Sequence, residues 1–381
     1  MAPYKTLSRK EYKLKSKPWI TKEIQFLMWE RDKIFHQYCK EKDDQKRQIL
    51  YNKFKNKRNN LTSKGIRSLV KIKPTYQRDI LILDDDGSLI TDPNFIVNHF
   101  NKYFVNVGPT IDNKIPLSKH NYTDYFQNFT INNSFFLKPV IPEDIQDIIS
   151  SFDINKSIGP NSLPIFIIKI CNDFFSYYLS KIINISFITG VFPQLCKTAK
   201  VIPIFKKDDP LNVKNYRPIS LLPIFSKIFE KAIYTRMYHY LELNDLIFKR
   251  QFGFRANHST NHALISMTED IKSHLDSNKF VSGIFIDLEK AFDTVNHEIL
   301  CNKLSYYGFR GKVNDLIKSF LMNRTQFVSV NGVDSHLLNI NCGVPQGSTL
   351  GPLLFLLYIN DLRFSLTYSI ASDFADDTCI T

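Results

Sequence analysis

Asp373-Phe374-Ala375-Asp376-Asp377-Thr378-Cys379-Ile380 sets two adjacent carboxylates in a small-residue turn between apolar flanks. Adjacent acids held there repel one another and favour a bound cation. Acid pairs also occur at 43–44, 208–209 and within 84–86, and those read as surface or turn residues. The flanks separate the terminal pair from them: Ser369-Ile370-Ala371 precedes it and Cys379-Ile380 follows, as expected for a hairpin packed into a core. A third acid, Asp287, ends the apolar run Val281 to Ile286, which reads as a strand tip that a rigid sheet can aim. Three carboxylates are what a two-metal phosphoryl-transfer site needs, because paired divalent ions about 3.5 to 4 Å apart require hard anionic oxygens. The reading therefore expects Asp287, Asp376 and Asp377 to converge.

Outward from these acids, the pattern alternates between helices and strands. Pro142-Glu143-Asp144 opens a helix, and a turn at Ser157 to Ser162 leads into another apolar helix through Ile170. Val201 to Phe205 reads as a strand followed by a Lys206-Lys207-Asp208-Asp209-Pro210 turn. Apolar positions 225, 228, 229, 232, 233 and 237 predict an amphipathic helix over 223–241, and a second helix follows over 259–276. Phe327 to Gly332 and Leu337 to Val344 suit a hairpin, and Leu353 to Ile359 a buried helix. Upstream, Lys22 to about Val70 has helical spacing, and Ile80 to Leu83 enters an Asp-Gly turn. Residues 88–135 carry only a helix near 94–107 and no legible chemistry.

The 381 residues carry 50 Lys and Arg against 37 Asp and Glu, a net charge of +13. Residues 1–80 hold 22 basic against 8 acidic side chains, or +14, and the rest 28 against 29, or −1. Such a basic arm fits a polyanion partner, since each neutralised phosphate releases counterions. Six cysteines show no metal-ligand spacing and read as reduced, mostly buried thiols of an intracellular protein. His258 and His262 could share a helix face but lack further ligands, so no zinc site is expected. Apolar runs are too short to span a bilayer and no membrane partner is expected.

Four ordered blocks carry a resemblance: Asn215-Tyr216-Arg217-Pro218-Ile219-Ser220-Leu221, the run Gly283 to Asp293, Gly343-Val344-Pro345-Gln346-Gly347-Ser348, and the Phe-Ala-Asp-Asp turn. Over residues 140–381 the chain resembles the reverse transcriptase of non-LTR retrotransposons of the jockey-like LINE kind. The resemblance implies an α/β (α+β) fold, a right-hand polymerase palm with an antiparallel sheet backed by helices and helical, loop-rich fingers. Residues 1–75 would be a basic helical arm or linker, 76–139 an irregular connecting region, and 140–381 fingers and palm with core motifs over 197–381. A primer grip and thumb beyond Thr381, and an endonuclease ahead of Met1, belong to the family pattern, and the sequence is read as fingers and palm without them.

Roles follow residue by residue from the same resemblance. Asp287, Asp376 and Asp377 would be catalytic and hold two Mg²⁺, or Mn²⁺ in their place. Arg217 would contact the nucleotide triphosphate, with Lys206 or Lys207 as a second cation. Phe292 would be the steric gate against a 2′-hydroxyl, and Gln346 and Gly347 would touch the incoming nucleotide and template. Lys156, Gly159 and Pro160 resemble an upstream template-handling block, although Asn161 replaces its usual Asp. The implied activity is RNA-directed DNA synthesis from an RNA template, a DNA primer and dNTPs, in the nucleus or cytoplasm. Two other readings are weighed against it: an inactive remnant that binds nucleic acid, and an RNA-dependent RNA polymerase, against which the aromatic at 292 argues.

Overall fold

The computed structural model describes residues 22–41, 43, 45–56, 80–84, 86–116, 121–126, 131, 133–154, 157, 159–366 and 368–381. Lys156 and all of residues 57–79, which include the end of the expected helical basic arm, lie outside the described residues. The chain divides into two compact units, Met1–Asp79 and Ile80–Thr381.

In the first unit, helix α1 (Lys22–Lys40) is followed by helix α2 over residues 45–56. Asp43 starts α2, its carboxylate accepting from Gln45 N at 3.0 Å and Lys46 N at 3.1 Å. Phe35 meets Phe54 at 5.2 Å and Tyr38 meets Tyr51 at 5.9 Å between ring centroids, a pairing only antiparallel helices give. Lys33 lies over Trp29 and Arg47 over Tyr38, so cations cover the aromatic seam.

The second unit is mixed α/β. Strands β1 (Ile82–Leu83) and β2 (Leu89–Ile90) flank a turn in which the Asp84 carboxylate accepts from Asp86 N and Ser88 N, with Gly87 at φ +82°. The Asp84 carboxylate thus has a structural task. Helix α3 (Pro93–Asp112), capped by Asp92 with Pro93 at its first position, is longer than the expected 94–107. Helices α4 (Pro142–Ser151), α5 (Ile165–Ile170) and α6 (Asn172–Thr189) follow, then strands β3 (Thr198–Phe205) and β4 (Tyr216–Leu221). Helices α7 (Ile224–Leu243) and α8 (Thr260–Asp276) precede strand β5 (Ile284–Ile286). Helices α9 (His297–Tyr306) and α10 (Lys312–Leu321), strands β6 (Arg324–Val330), β7 (Val333–Asp334) and β8 (Leu338–Ile340), helix α11 (Gly351–Ile359), and strands β9 (Ala371–Phe374) and β10 (Asp377–Ile380) complete it.

Two sheets organise these elements. The larger has strand order β4-β3-β6-β7 with β8 also on β6. The pairing of β3 with β6 is parallel and the others are antiparallel. Helix α3 covers it with Val97, Phe100 and Phe104 against Val201, Tyr216 and Val328. Buried Asn101 ties helix to sheet, donating to His336 O at 2.7 Å and accepting from Gln326 at 3.0 Å. The smaller sheet is wholly antiparallel, in the order β5-β10-β9.

The main core gathers around α11, whose Leu353 to Leu357 are all buried, so its run of apolar residues needs no amphipathic stripe. Helix α10 contributes Val313, Leu316, Ile317, Phe320 and Leu321, one face at helical spacing. Polar groups in this core are paired: Lys303 bridges to Asp361 at 2.6 Å, and Asn360 bonds to Phe248, Leu246 and Tyr307. The cysteines are free: Cys196, Cys301 and Cys379 are buried and Cys342 is half-buried, while Cys39 and Cys171 are exposed. Among the described residues no helix is long and apolar enough to cross a membrane.

Candidate active site

Strand β10 lies between β5 and β9, with Thr378 opposite Ile286 on one side and opposite Asp373 on the other. Continued by one residue, the first pairing sets Asp287 against Asp377. Opposed residues of an antiparallel pair share a sheet face, with Cβ atoms about 4.5–5.5 Å apart. Asp376 occupies the turn beside Ala375, which sits at φ +60°. Three acids separated by some ninety residues are thus neighbours. Burial raises the Asp377 carboxyl, and the charges of Asp376 and Asp287 raise it further, while Lys206 acts in the opposite direction. Among the described residues, no three His, Cys, Asp or Glu side chains enclose one point, so these carboxylates stand beside each other rather than forming a closed cage.

Strand β5 is shorter than the expected Val281 to Ile286, and Ile284 and Phe285 are exposed. It is an edge strand of a three-stranded sheet, so its apolar residues are not enclosed on both sides.

The cations come from the β3–β4 hairpin. Arg217 stands opposite Ile204, and Lys206 N donates to Asn215 O at 2.8 Å just beyond the last strand pair. It is Lys206 whose charge reaches Asp377. Lys207 is exposed at the hairpin tip. Lys290, at φ +50°, donates to Lys214 O at 3.2 Å. Burial holds its ammonium below the usual lysine range, Lys206 and Arg217 press it the same way, and Asp293 and Glu289 oppose them. Lys206 thus links two clusters, acting on Asp377 on one side and, together with Arg217, on Lys290 on the other.

Phe292 lies in the loop after β5. Its ring stacks on Phe355 of α11, with centroids 4.6 Å apart and planes at 24°, and meets the edge of Phe254 at 5.9 Å. A ring backed by the buried Phe355 cannot yield easily to an added atom.

Gln346 and Gly347 are stitched on two sides. Gln346 O accepts from Ser220 N of β4 at 2.7 Å, and its side-chain amide donates to both Asp293 oxygens at 3.0 and 2.9 Å. Gly347 has φ +121°, and a Cβ there would meet Ser220 O at 2.5 Å, so the close approach requires glycine. Val344 N donates to Phe292 O and Gly343 N to Val295 O, each at 2.8 Å. From the other end, the Glu230 carboxylate of α7 accepts from Thr349 N at 2.7 Å and Leu350 N at 3.3 Å. Burial raises Glu230, and buried Arg324 lies near enough to oppose that rise. Upstream, Gly159 packs so closely that a Cβ would lie 2.2 Å from Leu222 O, and Ser162 Oγ accepts from Ile224 N, so that turn braces the start of α7.

Sequence reading passed over Glu230, Gln251, Lys290, Asp293 and Asp373. An acid inside the apolar run of α7 was a signal for Glu230, and glycine between two phenylalanines in Gln251-Phe252-Gly253-Phe254 marked a close backbone approach. His258 precedes α8 rather than sharing its face with His262, so the pair does not have the helical spacing of a metal site.

Residues 204–381 match the family described as reverse transcriptase (RNA-dependent DNA polymerase). The chain is 32% identical over 252 residues to the RNA-directed DNA polymerase from mobile element jockey of Drosophila melanogaster, covering 64% of this chain and 27% of that one. It is 33% identical over 256 residues to the probable RNA-directed DNA polymerase from transposon X-element of the same species, covering 64% and 27%. With the jockey polymerase of Drosophila funebris it shares 34% over 225 residues, covering 59% and 24%. The chain thus spans about a quarter of the length of these relatives. The strand-borne acid, the acid pair in a hairpin and the neighbouring β3–β4 hairpin all lie within or at the edge of the matched region. Over these stretches the chain is similar to the reverse transcriptases of non-LTR retrotransposons.

Burial raises both Asp293 and Asp373 from 3.8 to about 6, against opposing hydrogen bonds from Gln346 and Thr378 respectively. Between those pH values the folded chain binds more protons than the unfolded one, so each group makes stability fall as pH rises from about 4 to about 6. Asp293→Asn and Asp373→Asn are each expected to remove up to about one proton from that slope, about 1.4 kcal/mol per pH unit. Urea unfolding from pH 4 to 6.5 measures it, and slopes equal to the parent protein's would contradict the assignment.

Proposed function

We propose that this chain carries fingers and palm of the RNA-directed DNA polymerase of a non-LTR retrotransposon, adding dNTPs to a primer 3′-hydroxyl on an RNA template. The larger sheet with its β3–β4 hairpin corresponds to fingers, and the β5-β10-β9 sheet to palm. The observation that carries this reading is the pairing of β5 with β10, which brings Asp287 beside Asp377 and the adjoining Asp376.

The donor set suits divalent magnesium: hard carboxylate oxygens only, in a cluster whose repulsion a cation relieves. Asp287, Asp376 and Asp377 would hold two such ions. When bound, these supply Lewis acidity that activates the 3′-hydroxyl and offsets charge on the phosphates. Lys206 and Arg217 bind the triphosphate, the planar guanidinium matching two phosphate oxygens at once. Lys290 adds positive charge from the opposite loop. Phe292 forms the floor under the sugar, held by Phe355, and excludes a 2′-hydroxyl. Gln346, its amide fixed by Asp293, presents the backbone of the Pro345-Gln346-Gly347 loop to the base pair being formed. The basic first unit tracks nucleic-acid phosphates.

Three outcomes test the reading. Labelled dTTP should be incorporated on poly(rA)/oligo(dT), and Asp376→Ala should reduce incorporation to background; activity indifferent to that substitution would remove the acids from catalysis. Phe292→Ala should raise ribonucleotide incorporation relative to deoxynucleotide by about tenfold or more. Unchanged discrimination would dismiss the gate, and a parent enzyme already preferring ribonucleotides would indicate an RNA polymerase. Deleting residues 1–75 should weaken RNA binding and flatten its salt dependence in filter-binding titrations, and a deletion variant that binds as before would clear the arm of that role.

A further inference from the structure

The turn carrying Asp376 is held from outside its own hairpin. Residues 250–253 run alongside β9 as a short parallel strap: Asp373 N donates to Arg250 O at 2.9 Å and Phe252 N to Asp373 O at 2.8 Å. From this strap the Gln251 side chain, 3% exposed, reaches the turn. Its Oε1 accepts from Ala375 N at 2.9 Å and Gly253 N at 2.8 Å, while Nε2 donates to Ala375 O at 3.3 Å. One primary amide therefore engages both polar groups of the residue between Phe374 and Asp376. That residue needs such support, because alanine at φ +60° occupies backbone space that a side chain disfavours.

Packing reinforces the bonds. A Cβ on Gly253 would stand 2.1 Å from Ala375 N and 2.7 Å from its Cα, so strap and turn touch backbone to backbone. The strap is anchored at both ends. Arg250 makes a bidentate pair with Asp270 of α8, which holds that carboxyl below its usual range despite the opposing effect of burial. Arg255 pairs with Glu242 of α7 at 2.8 Å and donates to Phe248 O at 3.0 Å. Two helices thus fix a loop whose buried amide bonds almost solely to the acid turn.

We propose that Gln251, carried on the 250–253 strap, is a positioning residue for Asp376 and Asp377. It fixes the peptide planes on either side of Ala375 and so the directions in which the two carboxylates leave the turn. Its geometric part concerns the hairpin alone, and its consequence for metal binding rests on the polymerase reading.

The test uses the full chain with Gln251→Met, which keeps length and removes the bonds. Amide hydrogen exchange read by NMR should accelerate at Ala375 by tenfold or more while the strand amides of β9 and β10 hold their rates, and Mn²⁺ binding read by electron paramagnetic resonance should weaken at least fivefold. Gln251→Glu, which retains both accepted bonds, should restore protection at Ala375. Unchanged exchange at Ala375, or acceleration shared equally by the strands, would overturn the positioning role. Should the Met variant not fold, Gly253→Ala displaces the turn from the same side and must produce the same selective acceleration, its absence again refuting the proposal. Selective acceleration in a parent protein that binds no Mn²⁺ would sustain the positioning role and defeat the polymerase reading instead.

Discussion

The site depends on one pairing, β5 against β10, in a register that places Asp287 opposite Asp377. A shift by one residue would send every side chain of β10 to the other face and part the acids. The pairing is made against electrostatic resistance: two carboxylates about 5 Å apart repel by about 1 to 3 kcal/mol at the dielectric of a protein surface, and a third adds to this. Three paired residues of an exposed edge strand are little to set against that cost. The hairpin partner β9, the strap at Gln251 and the cation at Lys206 supply the remainder.

The Pro345-Gln346-Gly347 loop is fixed by a second device, a chain of largely part-buried polar contacts. Glu230 holds Thr349 and Leu350, Ser220 holds Gln346, and Gln346 holds Asp293 one residue from Phe292. Each bond is ordinary, but the groups are enclosed, so losing one leaves a buried donor or acceptor without a partner, a loss of about 1–3 kcal/mol. Glu230 and Arg324 extend the same logic. Neither buried charge is cheap, and their attraction keeps both in the core beside the loop they support. Phe292, the Pro345-Gln346-Gly347 loop and strand β4 are therefore tied into one hydrogen-bonded network.

Local pattern made several elements legible. Helices α7 and α8, the buried helix α11 and the terminal hairpin follow from periodicity and from an acid pair between apolar flanks. Asp287 was legible because a strand tip next to an acid is local information. What escaped was long-range. Gln251 matters because of Ala375, Glu230 because of Thr349 and Asp293 because of Gln346, contacts across 53 to 124 residues that no periodicity encodes. Lys206 and Lys207 are indistinguishable as letters, and only the hairpin's course brings one of them to Asp377. Helix α3 was read from its start but five residues short of its end, and the sheet it covers could not be inferred from so weakly patterned a segment.

Rigidity and charge are divided between the two sides of the small sheet's turn. Inward, Asp373 and Thr378 face each other in a buried pair, and burial pushes the Asp373 carboxyl up to about 6, toward the neutral form that such surroundings tolerate. Outward, Asp377 stays exposed four residues later. The same side chain type thus stands buried at Asp373 and exposed at Asp377, and solvent access makes the difference. An acid meant to hold a cation must keep its charge, and it can do so only where water or the cation itself stabilises the anion. Placing the acid pair at a turn, rather than deeper along the strands, meets that need, and the strap at Gln251 supplies the rigidity that a turn alone would lack.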